Sequence, residues 1–401
     1  MQIRIEPAKL SGSIKAIPSK SAAHRLLICA ALADRETSVS CPALSKDIEA
    51  TARCLAALGA DIEYNEGVYY VRPIDKVTEN ALLDCGECGS TLRFLLPVVC
   101  ALGGGARIKM HGRLPQRPLS PLWEELEAHG AVLSRPEENV ISVSGRLAAG
   151  DYRIRADISS QYISGLLFAL PILKGESSLT LEGNIESAAY IDMTRQALSA
   201  FELELPFDGR VFNVPADVCC TSPGTADVEG DWSNAAFWLA ADALSGGSIE
   251  LTGLRADSLQ GDKAVVELIS SIRAGNAVVD VKNVPDLVPV LSVVAAISPG
   301  RTEFINGARL RIKESDRISS VCRMLCALGA RCEEKAEGLV VTGGKLSGGT
   351  VDSENDHRIV MSAAVAAIAC DAPVTIIGAE AADKSYPAFF EDYKKLGGKI
   401  Q

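Results

Sequence analysis

The sequence predicts an α/β protein that folds as two domains, each built from three repeated units. Three observations predict this class: the chain length, an internal repeat, and a short glycine phrase that recurs where helices end. The chain has 401 residues, more than the roughly 250 to 300 residues at which a single hydrophobic core stops growing. At least two domains are therefore expected.

The internal repeat consists of six segments that share one layout. Each is an apolar helical stretch, a turn of small residues, a short β-rich stretch and a Gly or Pro stop. Successive segments end 70, 71, 70, 54 and 71 residues apart. A unit of this length, with alternating strands and helices, indicates an α/β or α+β architecture rather than a solenoid of shorter repeats. The segments are residues 21–42, 90–112, 160–183, 233–253, 289–307 and 356–378.

A second helix follows most of these segments and ends in a glycine phrase. Glycine just after the last apolar position is typical of a helix C-cap, because it adopts positive φ without strain. In one such helix the apolar stripe is Ile318, Val321, Leu325 and Leu328, and Gly329 is the stop. The phrases are Leu-Gly-Ala at 58–60 and 328–330, His-Gly-Ala at 129–131 and Leu-Gly-Gly at 396–398.

The six units divide three and three near residues 221–225, where a Pro-Gly turn interrupts the pattern. We assign residues 14–222 to an N-terminal domain, and residues 1–13 with 223–401 to a second domain. Residues 3–5 alternate like a strand, which by its pattern alone could pair with either half.

Composition and charge narrow the possible functions. The net charge of −11 works against an extended surface for nucleic acid or for an anionic membrane. The apolar stretches fall short of the ~18 to 20 residues of a membrane span, and residues 1–10 lack the apolar core of a signal peptide. We therefore expect a cytoplasmic protein without nucleic-acid or membrane partners.

The twelve cysteines are scattered, and several lie in apolar helical patterns where a small reduced hydrophobe fits. Cys85 and Cys88 form one CxxC, but no second pair follows at zinc spacing. Reduced thiols are expected, without a metal or redox site.

Polar and basic side chains recur where the units begin. A helix N-terminus exposes unpaired N–H groups and a positive dipole end, so it favours phosphate or carboxylate. Singly, each residue could be a plain N-cap or a solvated cation, but recurrence in five of six equivalent places favours a common anion site. The residues are Lys20, Ser21 and Arg25; Gly89, Ser90, Thr91 and Arg93; Ser159, Ser160 and Gln161; Asp286; and residues 355–358.

Three further clusters carry charge. Arg117 lies in a stiff Pro-Gln-Arg-Pro loop, Lys384 lies in a loop of small residues, and residues 313–317 read Lys-Glu-Ser-Asp-Arg with a serine placed to cap the next helix. Taken singly, the three clusters can also be explained without a ligand. Arg117 could be a surface arginine, Lys384 a solvated lysine, and residues 313–317 a salt-bridged helix start.

Together these residues carry a resemblance to the 5-enolpyruvylshikimate-3-phosphate synthase family. Nine motifs occur in the family's order and spacing and span nearly the whole chain. They are Pro-Ser-Lys-Ser-Ala-Ala-His-Arg, Glu-Cys-Gly-Ser-Thr-Leu-Arg, Gln-Arg-Pro, Ser-Ser-Gln, Ser-Ala-Ala-Tyr-Ile-Asp, Pro-Asp, Lys-Glu-Ser-Asp-Arg, Asn-Asp-His-Arg and Asp-Lys-Ser-Tyr-Pro. The resemblance implies a two-domain inside-out α/β barrel with three βαβαββ-like units per domain, in agreement with the independent repeat count.

The resemblance also implies the reaction, transfer of the enolpyruvyl group of phosphoenolpyruvate to the 5-hydroxyl of shikimate 3-phosphate with release of phosphate. It implies that Ser21 and Arg25 hold the shikimate carboxylate and that Tyr190 and Gln161 line the ring. It implies that the 3-phosphate is bound by Ser159, Ser160, Ser187 and Lys313, and that Lys20 and Asp286 also contact this substrate. It implies that phosphoenolpyruvate is bound by Lys20, Gly89, Arg117, Gln161, Arg317, Arg358 and Lys384.

For proton transfer the resemblance implies Asp286 and Glu314, with Lys20 nearby. Asp286 is the expected base toward the hydroxyl and Glu314 the expected acid and base at the methylene carbon, although the sequence leaves open which carboxylate does which. No metal or organic cofactor is implied, because the reactive phosphate is on the substrate. We expect a monomer.

Four positions depart from the family pattern. Arg309 stands where an Asn touches the shikimate ring, His24 stands where Asn is frequent, and Glu87 and Cys88 replace Asn-Ala. These are neighbours of the charged residues, so we expect altered affinity rather than a different reaction.

Two alternatives differ from this assignment. The enolpyruvyl transferase that acts on UDP-N-acetylglucosamine shares the repeat plan, but it has Asn in place of Ser21 and lacks Arg25 and Ser-Ser-Gln. A non-catalytic scaffold would use the repeats for assembly and would not need the charged residues. Phosphate release with each acceptor separates the three.

The predicted ligands are divided between the two halves of the chain, so the resemblance implies that neither half holds a complete site. Repulsion among the cations should favour an open arrangement until anionic substrates bind. We expect shikimate 3-phosphate to favour closure, with hinges near residues 13–18 and 221–225.

Overall fold

The protein, described by a computed structural model that covers residues 1–401, forms two compact units. Unit N is Lys20–Val228, and unit C combines Met1–Ser19 with Glu229–Gln401. Each unit has its own hydrophobic core. The mixed α/β class expected from the repeat is confirmed.

Helices alternate with strands along the chain, six in each unit. Those of unit N are α1 (Lys20–Ala31), α2 (Lys46–Leu58), α3 (Gly89–Leu102), α4 (Leu122–Ala128), α5 (Ser160–Ala169) and α6 (Ala188–Ala200). Those of unit C are α7 (Trp232–Ser245), α8 (Val265–Ala274), α9 (Val288–Ile297), α10 (Arg317–Ala327), α11 (His357–Ala366) and α12 (Phe389–Lys395).

The strands form six small sheets. The first thirteen strands are β1 (Gln2–Glu6), β2 (Gly12–Lys15), β3 (Thr37–Ser40), β4 (Asp61–Asn65), β5 (Val68–Arg72), β6 (Ala81–Asp84), β7 (Ala106–Lys109), β8 (Ala131–Glu137), β9 (Val140–Gly145), β10 (Asp151–Arg155), β11 (Ser177–Glu182), β12 (Val211–Val214) and β13 (Thr225–Asp227). The others are β14 (Ile249–Thr252), β15 (Val278–Asp280), β16 (Arg301–Ile305), β17 (Arg331–Lys335), β18 (Gly338–Thr342), β19 (Gly349–Asp352), β20 (Val374–Ile377) and β21 (Lys399–Ile400).

One arrangement recurs in both units: a strand before a buried helix pairs in parallel with the strand after it. This holds for β6 and β7 around α3, for β10 and β11 around α5, for β15 and β16 around α9, and for β19 and β20 around α11. A second helix and an antiparallel pair complete the unit in β6-α3-β7-α4-β8-β9 and in β15-α9-β16-α10-β17-β18. Both read βαβαββ.

Two parallel pairs join distant parts of the chain and explain where the units divide. Strand β13 pairs with β3 inside unit N, and β2 pairs with β14 inside unit C. The chain therefore passes between units after Ser19 and after Val228. The strand predicted at residues 3–5 is β1, which pairs with β20 and β21 of unit C.

The first helix of each repeat is buried on almost every side. All ten residues of α11 are buried, as are nine of ten in α9 and twelve of fourteen in α3. A helix that is apolar on most of its faces belongs in a core, and the charged residues of α3 and α11 lie in the first two turns of these helices.

The predicted glycine stops are confirmed. Gly59, Gly130, Gly329 and Gly397 all have positive φ, and Gly59 is the C-cap of α2. The apolar stripe expected on α10 is buried as predicted. None of the helices has both the length and the apolar character of a membrane span.

Candidate functional site

Three helix N-termini of unit C converge on Arg358, in the first turn of α11. Its Nη2 atom donates to Ser233 Oγ at 2.7 Å, in the first turn of α7, and lies 3.2 Å from Asp286 Oδ2. Its Nη1 atom donates to the carbonyl oxygen of Asp286 at 3.0 Å, just before α9. The recurrence of polar residues at helix starts thus corresponds to real proximity within this unit.

Arg317 is buried among three carboxylates. Its guanidinium donates to Asp356 Oδ2 at 2.8 Å, to Asp286 Oδ1 at 2.6 Å and to Glu314 Oε2 at 2.7 Å. These carboxylates outweigh the effect of burial and raise the pKa of Arg317. The side chain is therefore a fixed positive charge.

Asp286 is the carboxylate shared by both arginines, and Lys313 Nζ lies 3.4 Å from its Oδ1 atom. Burial raises the pKa of Asp286, but the charges of Arg358, Lys313 and Arg317 outweigh burial and hold the pKa well below its usual value. Asp286 is therefore ionised at neutral pH. Burial lowers the pKa of Lys313, whose cation faces this carboxylate.

Lys384 lies beside the same helix start. Its Nζ atom donates to the carbonyl oxygen of Asn355 at 2.7 Å, just before the N-cap Asp356 of α11. Asn355 and Glu354 both have positive φ, a conformation uncommon outside glycine that is often found at functional positions.

Arg25 is the corresponding buried cation of unit N. It is 2% exposed, and its donors reach Thr194 Oγ1 at 2.8 Å and the carbonyl oxygens of Ser21 and Tyr190 at 2.7 and 2.9 Å. Burial lowers the pKa of Arg25 to about 10, so the group stays charged at neutral pH. Burying a charge is costly unless an opposite charge offsets it. Because the protein partners named for Arg25 are neutral oxygens, its charge is suited to binding an anion.

Gly89 lies beneath two guanidinium groups. A Cβ atom there would meet Arg93 Nη1 at 2.5 Å and Arg117 Nη1 at 2.8 Å. Arg93 Nη1 also donates to Gln161 Oε1 at 3.2 Å, and Gln161 Nε2 donates to Ser90 Oγ at 2.9 Å. The starts of α3 and α5 therefore present cations and amide groups together.

The serines expected to bind phosphate lie at two helix starts of unit N. Ser159 is the N-cap of α5 and accepts from Gln161 N at 3.3 Å, followed by the buried Ser160. Ser187 precedes α6 with φ of 55° and no side-chain cap bond. This backbone conformation is uncommon outside glycine and is often found at functional positions.

Lys20 opens α1, and its Nζ atom lies 2.9 Å from Asp47 Oδ2. One turn later, His24 Nδ1 lies 2.7 Å from Thr51 Oγ1, and His24 Nε2 lies 3.8 Å from Cys88 Sγ. Burial, together with Lys20 and Arg25, lowers the pKa of His24 well below its usual value. His24 is therefore neutral at neutral pH.

One sequence expectation is wrong in detail. Ser315 does not cap α10: Asp316 is the N-cap, accepting from Ser319 N at 3.2 Å, while Ser315 Oγ donates to Asp356 Oδ2 at 3.0 Å. The buried Asp356 thus accepts from Ser315 as well as from Arg317 and Arg358 N. Arg309 is one of the four positions that depart from the family pattern, and its Nη2 atom donates to the carbonyl oxygen of Lys282 at 2.6 Å.

Sequence reasoning assigned no role to three polar side chains of these networks, although residues 355–358 were counted among the polar helix starts. Asp356 holds Arg317 and caps α11, Asp47 pairs with Lys20, and Ser233 accepts from Arg358. Only Asp356 had a signal, because Asp directly before an apolar run is typical of an N-cap. The other two become visible only through long-range contacts.

The fold and these side chains define a class: a repeat-built α/β protein whose buried helix starts carry cations, hydroxyl groups and carboxylates suited to polyanionic small molecules. The sequence matches the family described as EPSP synthase (3-phosphoshikimate 1-carboxyvinyltransferase) over residues 5–393. The chain belongs to this family, which confirms the resemblance of the nine motifs.

Curated relatives cover the whole chain. The 3-phosphoshikimate 1-carboxyvinyltransferase of Clostridium acetobutylicum is 40% identical over an alignment of 421 residues. The alignment covers 99% of this chain and 98% of that protein. That of Clostridioides difficile is 39% identical over 428 residues, with the same coverage of both chains. A solved EPSP synthase structure from Acinetobacter baumannii is 24% identical, with a TM-score of 0.82 over 100% of this chain and 99% of the other. That likeness shows a common fold.

Proposed function

We propose that this protein transfers the enolpyruvyl group of phosphoenolpyruvate to the 5-hydroxyl of shikimate 3-phosphate and releases inorganic phosphate. The observation that carries the proposal is Asp286, an ionised carboxylate held among Arg317, Arg358 and Lys313. The reaction needs a base beside the bound phosphate and carboxylate groups of the substrates. This cluster supplies the carboxylate base and the cations that would bind those groups.

The reaction is an addition followed by an elimination. In the addition, the 5-hydroxyl oxygen bonds to C2 of phosphoenolpyruvate while Asp286 accepts the hydroxyl proton and the methylene carbon receives a proton. In the elimination, that carbon loses a proton again and the bond from C2 to the phosphate oxygen breaks. We assign proton transfer at the methylene carbon to Glu314 and Lys20. No step calls for a metal or organic cofactor.

The low pKa of Asp286 makes it a weak base when only protein cations surround it. Those cations are the ones proposed to hold the anionic groups of the substrates. Once substrate phosphate and carboxylate share their charge, the attraction on Asp286 weakens and its pKa rises toward the working pH. Substrate binding therefore strengthens the base where the hydroxyl must lose its proton.

We assign the remaining contacts by substrate. Shikimate 3-phosphate takes Ser21 and Arg25 at its carboxylate, Ser159, Ser160, Ser187 and Lys313 at its phosphate, and Gln161 and Tyr190 at its ring. Phosphoenolpyruvate takes Lys20, Gly89, Arg117, Arg317, Arg358 and Lys384. The buried Arg25, bonded to neutral oxygens, supports the first group, and the guanidinium groups over Gly89 support the second.

The proposal extends to the architecture and setting. Each unit is an inside-out α/β barrel in which sheets surround buried helices; the burial of α11 on all sides supports it. We expect a monomeric cytoplasmic enzyme without nucleic-acid or membrane partners.

The test is phosphate release by the purified protein with phosphoenolpyruvate and either shikimate 3-phosphate or UDP-N-acetylglucosamine. We expect turnover with shikimate 3-phosphate alone and a product heavier than the acceptor by one enolpyruvyl group, read by mass spectrometry. Turnover with UDP-N-acetylglucosamine would favour the sister transferase, and no turnover with either would favour a non-catalytic role.

A further inference from the structure

Thr194 lies in the second turn of α6 and is completely buried. Its Oγ1 atom accepts from Arg25 Nε, in α1, at 2.8 Å and lies 2.7 Å from Ser164 Oγ, in α5. The same hydroxyl donates to the carbonyl oxygen of Tyr190, four residues earlier in the helix, at 3.0 Å. Three helices of unit N therefore meet at this one side chain.

The hydroxyl protons of Thr194 and Ser164 can be assigned from these contacts. Each hydroxyl has one proton to donate, and an arginine can only donate. Ser164 Oγ lies 3.4 Å from Arg25 Nη2 and therefore accepts from it. All of these bonds form together only if Ser164 donates to Thr194 and Thr194 donates to the carbonyl oxygen of Tyr190. The network thus has one direction, and both hydroxyl oxygens act as acceptors toward the guanidinium.

The donors of Arg25 are almost all used by this network and by two carbonyl groups. A guanidinium group has five N–H donors. Nε bonds to Thr194, Nη2 bonds to Ser164 and to the carbonyl oxygen of Tyr190 at 2.9 Å, and Nη1 bonds to the carbonyl oxygen of Ser21 at 2.7 Å. The second N–H of Nη1 remains available to a ligand.

We propose that Thr194 is a positioning residue which, together with Ser164, fixes the guanidinium of Arg25 for the carboxylate of shikimate 3-phosphate. The inference rests on the proposed function, in which Arg25 holds that carboxylate. Binding of a carboxylate by a guanidinium depends on the orientation of its plane, and the bond from Nε to Thr194 fixes that orientation. Without this hydroxyl, Arg25 would keep its charge and its carbonyl partners, so the loss concerns orientation rather than the presence of the cation.

Calorimetric binding of shikimate 3-phosphate to variants of both hydroxyl residues tests this inference. Valine has nearly the shape of threonine but lacks the hydroxyl group, so Thr194→Val should raise the Kd about 10-fold, which corresponds to about 1.4 kcal/mol. Ser164→Ala should raise the Kd less, because the bond from Arg25 to Ser164 is the longest of the network. Thr194→Ser, which keeps the hydroxyl, should bind within twofold of the wild type.

An analogue of shikimate 3-phosphate with a carboxamide in place of the carboxylate supplies a readout that a merely structural role would not give. Thr194→Val should weaken this analogue far less than it weakens the acid, because the neutral amide makes no ion pair with Arg25. The KM for phosphoenolpyruvate at saturating shikimate 3-phosphate should stay within twofold. Ser177→Ala is the control, because it removes another buried hydroxyl of unit N, one that accepts from Gly150 N at 3.3 Å. It should leave the binding of both ligands unchanged.

Equal weakening of the acid and of the carboxamide by Thr194→Val would show a structural effect and overturn the inference. An unchanged Kd for shikimate 3-phosphate in a folded Thr194→Val would overturn it as well. If Thr194→Val does not fold, an unchanged Kd in Ser164→Ala overturns it. A wild-type protein that neither binds shikimate 3-phosphate nor releases phosphate overturns the proposed function, whereas wild-type turnover with unaffected variants overturns only the inference.

Discussion

Arg317 and Asp356 form an ion pair of 2.8 Å in which the arginine side chain is 1% exposed and the aspartate side chain is not exposed at all. A pair this deeply buried contributes little net stability, but removing one partner leaves an uncompensated charge in the interior. Asp356 also caps α11 by accepting from Arg358 N at 2.9 Å. It therefore joins the starts of α10 and α11.

We expect Asp356→Asn to lower the free energy of unfolding by about 3 to 5 kcal/mol, the usual result of breaking a buried pair. Asparagine caps helices as well as aspartate does, so the loss reports the missing charge and not the missing cap. Urea unfolding measures it. Asp371→Asn, at an exposed carboxylate, is the control and should change stability by less than about 0.5 kcal/mol. A similarly small change in Asp356→Asn would show that Asp286 and Glu314 are enough to compensate the buried charge of Arg317.

Substrate binding should separate the two proposed ligand groups. Arg117→Ala and Lys384→Ala should each weaken phosphoenolpyruvate far more than shikimate 3-phosphate, because each removes charge-assisted hydrogen bonds worth roughly 1.5 to 3 kcal/mol. Calorimetry with each substrate reads the difference. Arg107→Ala, at an exposed arginine paired with Glu137, is the control. Equal losses for both substrates would count against these roles.

The two carboxylates should affect turnover far more than binding. Asp286→Ala and Glu314→Gln should fold and bind shikimate 3-phosphate yet lose ~10² to 10⁴-fold in kcat, the usual contribution of general acid-base catalysis. Phosphate release measures kcat, and calorimetry confirms binding. Asp280→Asn, at an exposed carboxylate paired with Lys282, should remain fully active. Near-normal turnover would remove the substituted residue from the mechanism.

Local patterns in the sequence were enough to predict the repeats and the helix ends. The stripe from Ile318 to Leu328 and the stop at Gly329 depend on neighbours within one helix, where periodicity and backbone conformation decide the outcome. Most residues of the candidate site were singled out by the recurrence of polar helix starts, and their roles came from the family resemblance and stay predictions. The ion pair between Arg317 and Asp356 could not be predicted, because the two residues lie 39 positions apart and only tertiary packing brings them together. Ser315 was misassigned for the same reason: a distant carboxylate competes for its hydroxyl.

The last prediction concerns how stability depends on pH through Asp262. Burial, with the nearby charge of Asp286, raises the pKa of Asp262 from 3.8 to about 6, although Arg358 and Ser233 act in the opposite direction and Asp231 adds to the rise. The folded protein therefore binds the proton more tightly than the unfolded chain. The favourable contribution of the protonated group is complete below pH 4 and is lost as the pH rises through about 6.

At pH 7.5 the ionised Asp262 should thus destabilise the fold by up to about 3 kcal/mol, at about 1.4 kcal/mol for each pH unit of the shift. Asp262→Asn is neutral at every pH and avoids this cost. We expect the variant to be more stable than the wild type at pH 7.5, with the difference vanishing near pH 4. Urea unfolding followed by the fluorescence of Trp232 and Trp238, both in the same unit, measures it, and Asp257→Asn should show no such trend. A variant that is equally or less stable at pH 7.5 would show that the carboxylate stabilises the fold, because the charge of Arg358 then outweighs burial.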